Sequence, residues 1–359
     1  MADGSQFAIS TTVCATEWSA RSEFWIAETT KSAKKLKRRE RNSKALILTG
    51  HGVSLRIDNG ALLIRDGFTH YPQTHNQWRF FRGDLALPPR IVLLDGSGTL
   101  SFDVLTWLAD QSVALARVTW QGDVAIVASG TGCATDREKV AWQIRTRDDP
   151  VARMNFAKDL ITHKIENTLS TLQTVMAAYD ITKAADKAQA CIEAIRNLSP
   201  DNDINLLRMI EGECAVAYFN VWKVIALSWK GLGKKPIPVE WQTYRSRSSI
   251  LNGVKAKNKR ASHPINAMLN YAYAVRKAHL QIEAIADGYD PTIGILHHDR
   301  EGFAAYIYDL IESERPKVDA VILDFIARHT FSAADFVIRS DGVCRLSPQL
   351  AKTVAGLVS

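Results

Sequence analysis

ALILTGHGVSLRIDNGALLIRDG, residues 45–67, sets the character of the first half of the chain. Its three runs, ALILTG, GVSLRID and ALLIRDG, are short and apolar or alternating, and His51-Gly52, Asn59-Gly60 and Asp66-Gly67 punctuate them. Asn-Gly and Asp-Gly between alternating segments supply the left-handed backbone of tight hairpin turns, so the stretch reads as strands. Further strand-like pieces lie at 90–94, 113–120 and 123–128, with a short helix at 102–111 between the first two. After Gly130-Thr131-Gly132 apolar residues recur every three or four positions through 136–147, 151–176, 181–198, 205–227, 264–288, 303–314 and 317–329. That is the period of amphipathic helix, with Pro150 and Pro316 at helix-start positions. A last hairpin is expected across Asp341-Gly342 and a closing helix from Ser347. The fold class is therefore α+β: a small β-sandwich-like domain over 45–132, then a larger all-helical domain over 133–359. Residues 1–44 show no convincing periodic element and read as a flexible basic N-terminal extension.

The 359 residues are 46% apolar and 23% charged, ordinary globular values that exclude a wholly disordered or collagen-like chain. No run approaches the roughly 18 apolar residues of a spanning helix, and the N-terminus lacks a signal-peptide pattern. Five scattered cysteines without a CxxC pair argue for a reducing, cytoplasmic setting and against a zinc site. The net charge of +7 is concentrated. Lys31, Lys34, Lys35, Lys37, Arg38, Arg39, Arg41 and Lys44 face Glu40 alone, and Lys230, Lys234, Lys235, Arg245, Arg247, Lys255, Lys257, Lys259 and Arg260 face Glu240 alone. Two basic clusters on a near-neutral chain suit a polyanion such as DNA. In the second cluster Trp229, Trp241 and Tyr244 interleave with the cations, as base-stacking surfaces do.

Two places could carry chemistry. In NLLRMIEGECAVAYFNVWKVIAL, Glu211 shares an apolar helical stripe with Leu207, Cys214 and Tyr218, whereas Glu213 points away. A carboxylate on such a stripe needs a metal, a donor set or a basic partner such as arginine. In GILHHDREG, His297 and His298 sit in a Gly-flanked turn, and Asp309 and Glu312 follow on one side of the next helix. Carboxylates with an imidazole suit Mg²⁺ or Mn²⁺. Cys214 reads as a core thiol, and GxxxxGK[ST], HExxH and GxSxG are all absent.

MIEGECAVAYF, KRASHPINAMLNYAYAV and GYDPTIGILHHDREGFAAYIYDLIESERP, in that order, resemble the CRISPR-associated integrases that capture spacers, the first of the Cas families. GVSLRIDNGALLIRDG and IVLLDGSGTLS are similar to that family's N-terminal domain. The resemblance implies a β-rich dimerisation domain and a helical catalytic domain with Glu211, His297 and Glu312 as catalytic metal ligands for Mg²⁺ or Mn²⁺. It places Asp309, Asn266, Tyr218 and Arg315 as supporting residues, and it leaves residues 1–44 outside. It implies metal-dependent transesterification that inserts DNA into a repeat array, a homodimer, and assembly with the small second CRISPR-associated protein. Related readings are a transposon-type integrase, a branched-DNA nuclease, or an inactive DNA-binding scaffold.

Overall fold

The computed structural model describes residues 15–32, 41–68, 75–119, 124–128, 136–199, 203–231, 235–247, 250–251, 254–255, 260–297 and 304–358. Positions 34–40 of the first basic run, the 130–132 turn, and Lys234, Lys257, Lys259 and His298 lie outside them. The order is α1 (Ala15–Ser32), β1 (Leu46–Leu48), β2 (His51–Asp58), β3 (Ala61–Arg65), β4 (Gln77–Phe80), β5 (Arg90–Leu94), β6 (Ser97–Leu100), α2 (Phe102–Asp110), β7 (Ala114–Val118) and β8 (Val124–Ala128). Then come α3 (Arg137–Asp148), α4 (Pro150–Val175), α5 (Thr182–Arg196) and α6 (Ile204–Val221). After them follow β9 (Ser228–Trp229), β10 (Ile250–Leu251), β11 (Val254–Lys255), α7 (Pro264–Ala286) and α8 (Ala305–Arg328). The chain closes with β12 (Thr330–Phe331), β13 (Phe336–Ile338), β14 (Cys344–Leu346) and α9 (Pro348–Leu357). The architecture is mixed α and β, strands first and helices later.

The early strands make two four-stranded sheets, β4-β3-β2-β6 and β1-β5-β7-β8. Asn59 and Gly60, both at positive φ, turn β2 into β3 so that Asp58 pairs with Ala61. Val53, Leu55, Leu62 and Ile64 of the first sheet share a core with Leu48, Ile91 and Leu115 of the second, and Trp107 and Leu108 of α2 join it. The other face of the second sheet, through Val92, Leu94, Ala114 and Ala116, belongs to the main core. Strands β1, β5 and β7 are parallel and buried on both faces, which explains why RIVLL and ALARV barely alternate. Helix α7 is buried almost all round because it lies in that main core, touching β7 and β8 as well as α8 and α9.

Three expectations need correction. The later part is not all helical: besides the expected last hairpin, in which β13 pairs with β14 antiparallel, β9 pairs with β12 in parallel and β10 with β11 antiparallel. Nor does Pro316 start a helix. It lies inside α8, where its missing N–H deprives the Glu312 carbonyl of its helical donor. Packing carries the helix through: Asn167 donates to the Ser313 carbonyl at 2.8 Å and Thr171 to the Pro316 carbonyl at 2.9 Å. Finally, within the basic extension residues 15–32 are a packed helix. Trp25 is fully buried against Phe325, His329 and Phe331, and its indole N–H donates to buried Asp335 at 2.8 Å. Arg21 grips the same carboxylate at 2.8 Å, and α1 packs along α9.

Candidate active site

Helices α4, α6 and α8 each bring one charged side chain to a single point. On α4, Ala157, Ile161, Thr168 and Thr171 are buried along one face, and Lys164 occupies the same three-four spacing. On α6, Glu211 interrupts the buried series Leu207, Cys214 and Tyr218. On α8, Glu312 is itself buried. Lys164 Nζ lies 2.6 Å from Glu211 Oε1 and 2.6 Å from Glu312 Oε2, so one ammonium bridges two carboxylates from separate helices. The other Glu312 oxygen meets Arg315 Nη2 at 3.2 Å. Burial alone would raise the Glu312 pKa, but Arg315 and then Lys164 reverse this and hold it at about 2. Burial likewise opposes the Lys164 charge, and Glu312 followed by Glu211 overcomes it, raising that pKa.

His297 arrives on a turn fixed from several sides. Gly294 is required there, since a Cβ would sit 2.6 Å from that of Ala305. Buried Gln143 clamps the Asp290 and Ile293 carbonyls, while Arg153 and Arg208 donate to those of Ile295 and Leu296. The fully buried Asp309 carboxylate accepts backbone N–H groups from Ile295 at 2.6 Å, Leu296 at 3.1 Å and His297 at 3.0 Å. It also meets His297 Nδ1 at 2.8 Å. A carboxylate already accepting three amides is the acceptor here too, which puts the imidazole hydrogen on Nδ1 and leaves the Nε2 lone pair free. Asp309 thus orients the histidine.

Beside Lys164 a cleft of about 180 Å³ is lined by Glu211, Tyr218, Arg247, Tyr273, Arg315 and Asp319. Tyr218 donates to Asp319 at 3.1 Å and Tyr273 donates to its other oxygen. Burial pushes the Asp319 carboxyl up to about 6 despite the Tyr273 hydrogen bond and the nearby Arg247. Asn266 faces elsewhere: it accepts from Tyr244 and donates to the Ser246 carbonyl, tying down the segment that carries Arg247. Burial pushes the Cys214 thiol up to about 12, as befits a core cysteine.

The interleaved aromatics of the basic segment do not face solvent. Trp229, Trp241 and Tyr244 are buried, with Trp229 stacked on Phe336 and the Trp241 indole donating to the Ser262 carbonyl. They peg the segment to the core rather than offer stacking faces. Lys230 and Arg245 are exposed, whereas Lys235 pairs with Glu17 of α1, Arg260 with Asp341, and Arg247 donates to Asn270 at 2.8 Å. For Lys255 only the strand backbone is described.

Residues 46–359 match the family described as CRISPR associated protein Cas1. The chain belongs to the Cas1 family. Over 336 residues it is 24% identical to "CRISPR-associated endonuclease Cas1 1" of Methanospirillum hungatei, covering 88% of this chain and 86% of that protein. Its fold is similar to a casposase bound to integration product, with a TM-score of 0.71, 20% identity, and 88% and 81% of the two chains covered. It is also similar to a chain of a Cas6-RT-Cas1–Cas2 complex, with a TM-score of 0.62 and 15% identity over 90% of this chain and 33% of that one. Residues 15–32, with Trp25 at their centre, lie outside the family match. Among the described residues no helix is long and apolar enough to cross a membrane.

Among the described residues no three imidazole, thiol or carboxylate groups close on each other as a finished cage. The donor chemistry nonetheless fits a hard divalent cation. Two carboxylates already share one cationic atom, and an imidazole with a free nitrogen stands on the Glu312 side. Lys164 and Asp319 were not anticipated. The signal for Lys164 was present, since a lysine in an otherwise core-facing series needs an anionic partner as much as Glu211 needs a cationic one.

Proposed function

We infer that this Cas1-family chain is a metal-dependent DNA strand-transfer enzyme of CRISPR adaptation. The observation that carries the reading is the meeting of Glu211 and Glu312, from α6 and α8, on one cationic atom beside His297. Glu211, Glu312 and His297 Nε2 would hold Mg²⁺ or Mn²⁺. Such an ion supplies Lewis acidity at the phosphoryl oxygen and lowers the pKa of the attacking hydroxyl. The residues do the rest. Arg315 fixes one Glu312 oxygen, leaving the other directed at Lys164; Asp309 locks the imidazole tautomer; and the cleft beside Lys164 receives the DNA backbone. A 3′-hydroxyl attacks phosphorus, the P–O3′ bond of the target strand breaks, and the proton lost by the first oxygen balances the one gained by the departing 3′-oxygen. One phosphodiester replaces another, so no energy-supplying cofactor is needed.

Curated relatives named as CRISPR-associated endonucleases support the CRISPR assignment. The likeness to a casposase on its integration product supports strand transfer, and it also keeps a transposon-type integrase as a second reading. A repeat array beside the gene supports the first reading, terminal inverted repeats the second. The Cas1–Cas2 assembly among the structural neighbours supports a partnership with the second adaptation protein, and two active sites per inserted fragment call for a homodimer. Exposed Lys230 and Arg245 would contribute non-specific grip on DNA. The test is strand transfer of a labelled duplex into a repeat-containing plasmid. Wild type should form product only with Mg²⁺ or Mn²⁺, and E211A should form none while keeping its circular dichroism spectrum. Product from E211A would overturn the assignment.

A further inference from the structure

The charges around Glu211 and Glu312 balance before any ion arrives. Two carboxylates face two cations: Lys164 Nζ at 2.6 Å from each acid, and Arg315 Nη2 at 3.2 Å from the remaining Glu312 oxygen. Lys164 is confined there. It leaves α4 on the core-facing series between Ile161 and Thr168, and its side chain is 18% exposed. A divalent ion between the same carboxylates needs the lone pairs that the ammonium now uses. Added alone, it would bring surplus positive charge into a largely buried pocket that Lys164 and Arg315 already neutralise, and unpaired buried charge is costly. A phosphodiester supplies the missing negative charge. The cleft that Lys164 lines has space for one, about 180 Å³, shared with Arg247 and Arg315. Arg247 Nη1 and Arg315 Nε are buried without a hydrogen-bond partner among the described residues, so two residues that line the cleft carry donors lacking an acceptor there.

We propose that Lys164 is a positioning residue that couples metal loading to DNA binding. Its ammonium holds Glu211 and Glu312 together in the ligand-free enzyme and passes to a DNA phosphate oxygen when the divalent ion enters between them. The inference rests on the metal site inferred above and adds a thermodynamic property to it. The ion then binds weakly without DNA and more tightly with it, and DNA gains by the same factor from the ion. A lysine with four rotatable carbons can make this transfer without a backbone change, whereas Arg315, stacked over Tyr273 with its guanidinium 5.4 Å from the ring centroid, stays on Glu312.

Mn²⁺ binding, read by the electron paramagnetic resonance of free Mn²⁺, tests this in wild type, K164M and K164R. Each is measured with and without a duplex whose 3′-dideoxy ends cannot react. In wild type the duplex should tighten Mn²⁺ binding by about tenfold. K164M should bind Mn²⁺ without DNA about tenfold more tightly than wild type and gain little from the duplex, and K164R should restore wild-type behaviour. K164M binding no tighter than wild type overturns the role of Lys164. Equal wild-type affinities with and without duplex overturn it as well, and that arm needs no variant to fold. Absence of Mn²⁺ binding in wild type and K164M alike overturns the metal site itself, which separates the two failures.

Discussion

Asp319 is buried with no cation bonded directly to its carboxylate among the described residues, held instead by the hydroxyls of Tyr218 and Tyr273. Its pKa of about 6 exceeds that of an unfolded aspartate, so between about pH 4 and pH 6 the folded chain keeps a proton that the unfolded chain releases. Its contribution to stability is therefore complete below about pH 4 and is lost as pH rises through about 6. In urea unfolding, the stability of wild type relative to D319N should fall by on the order of 1–2 kcal/mol from about pH 5 to about pH 7. A difference that does not change with pH would contradict this placement of the proton. At this scale the sequence was readable where one residue violated a pattern. Glu211 stands out because a carboxylate breaks an apolar helical series, and Lys164 breaks its series in the same way. What periodicity could not show is that the two violations compensate each other across α4 and α6. Nor could it show that Asp309 turns toward three backbone amides and an imidazole.

Among elements, α1 departs furthest from a pattern reading. Its buried face consists of Ser22 and Trp25, flanked by Arg21 and Phe24, with Thr29 bonding to Thr353 of α9. Phe24, Trp25 and Ile26 adjoin one another in a series otherwise mostly small or polar, which blurs the helical period, yet Trp25 fills a niche between Phe325 and Phe331. W25A removes a fully buried indole and its hydrogen bond to Asp335, and should cost about 3–5 kcal/mol. A chemical denaturation midpoint within error of wild type would show that α1 does not hold its place on α9. The strands were legible for the opposite reason: Asn59-Gly60 fixes a turn by local sterics alone, and the register of β2 on β3 follows from it. Pro316 misled because a proline usually ends or starts a helix, whereas here α8 runs through it, braced by hydrogen bonds from α4 to the Ser313 and Pro316 carbonyls. The aromatics at 229, 241 and 244 misled through composition: alternation with lysine and arginine suggested exposure, but the β9–β12 pair and Phe336 draw the rings inward.

At the scale of the whole molecule, the site is a product of the complete helical arrangement. Lys164, Glu211, His297 and Glu312 come from α4, α6, a clamped turn and α8, and none of these elements positions two members of the Lys164–Glu211–Glu312 cluster by itself. The order of strands and helices was legible because each segment advertises its own period. Their assembly was legible only through the family resemblance, since contacts between residues 164, 211 and 312 leave no local trace. The most direct measurement is anomalous diffraction from crystals grown with Mn²⁺ and a short duplex. We expect one Mn²⁺ peak with Glu211, Glu312 and His297 Nε2 at roughly 2 Å and the Lys164 ammonium moved onto a phosphate oxygen. Lys164 still bridging Glu211 and Glu312, with no anomalous peak between them, would contradict the account.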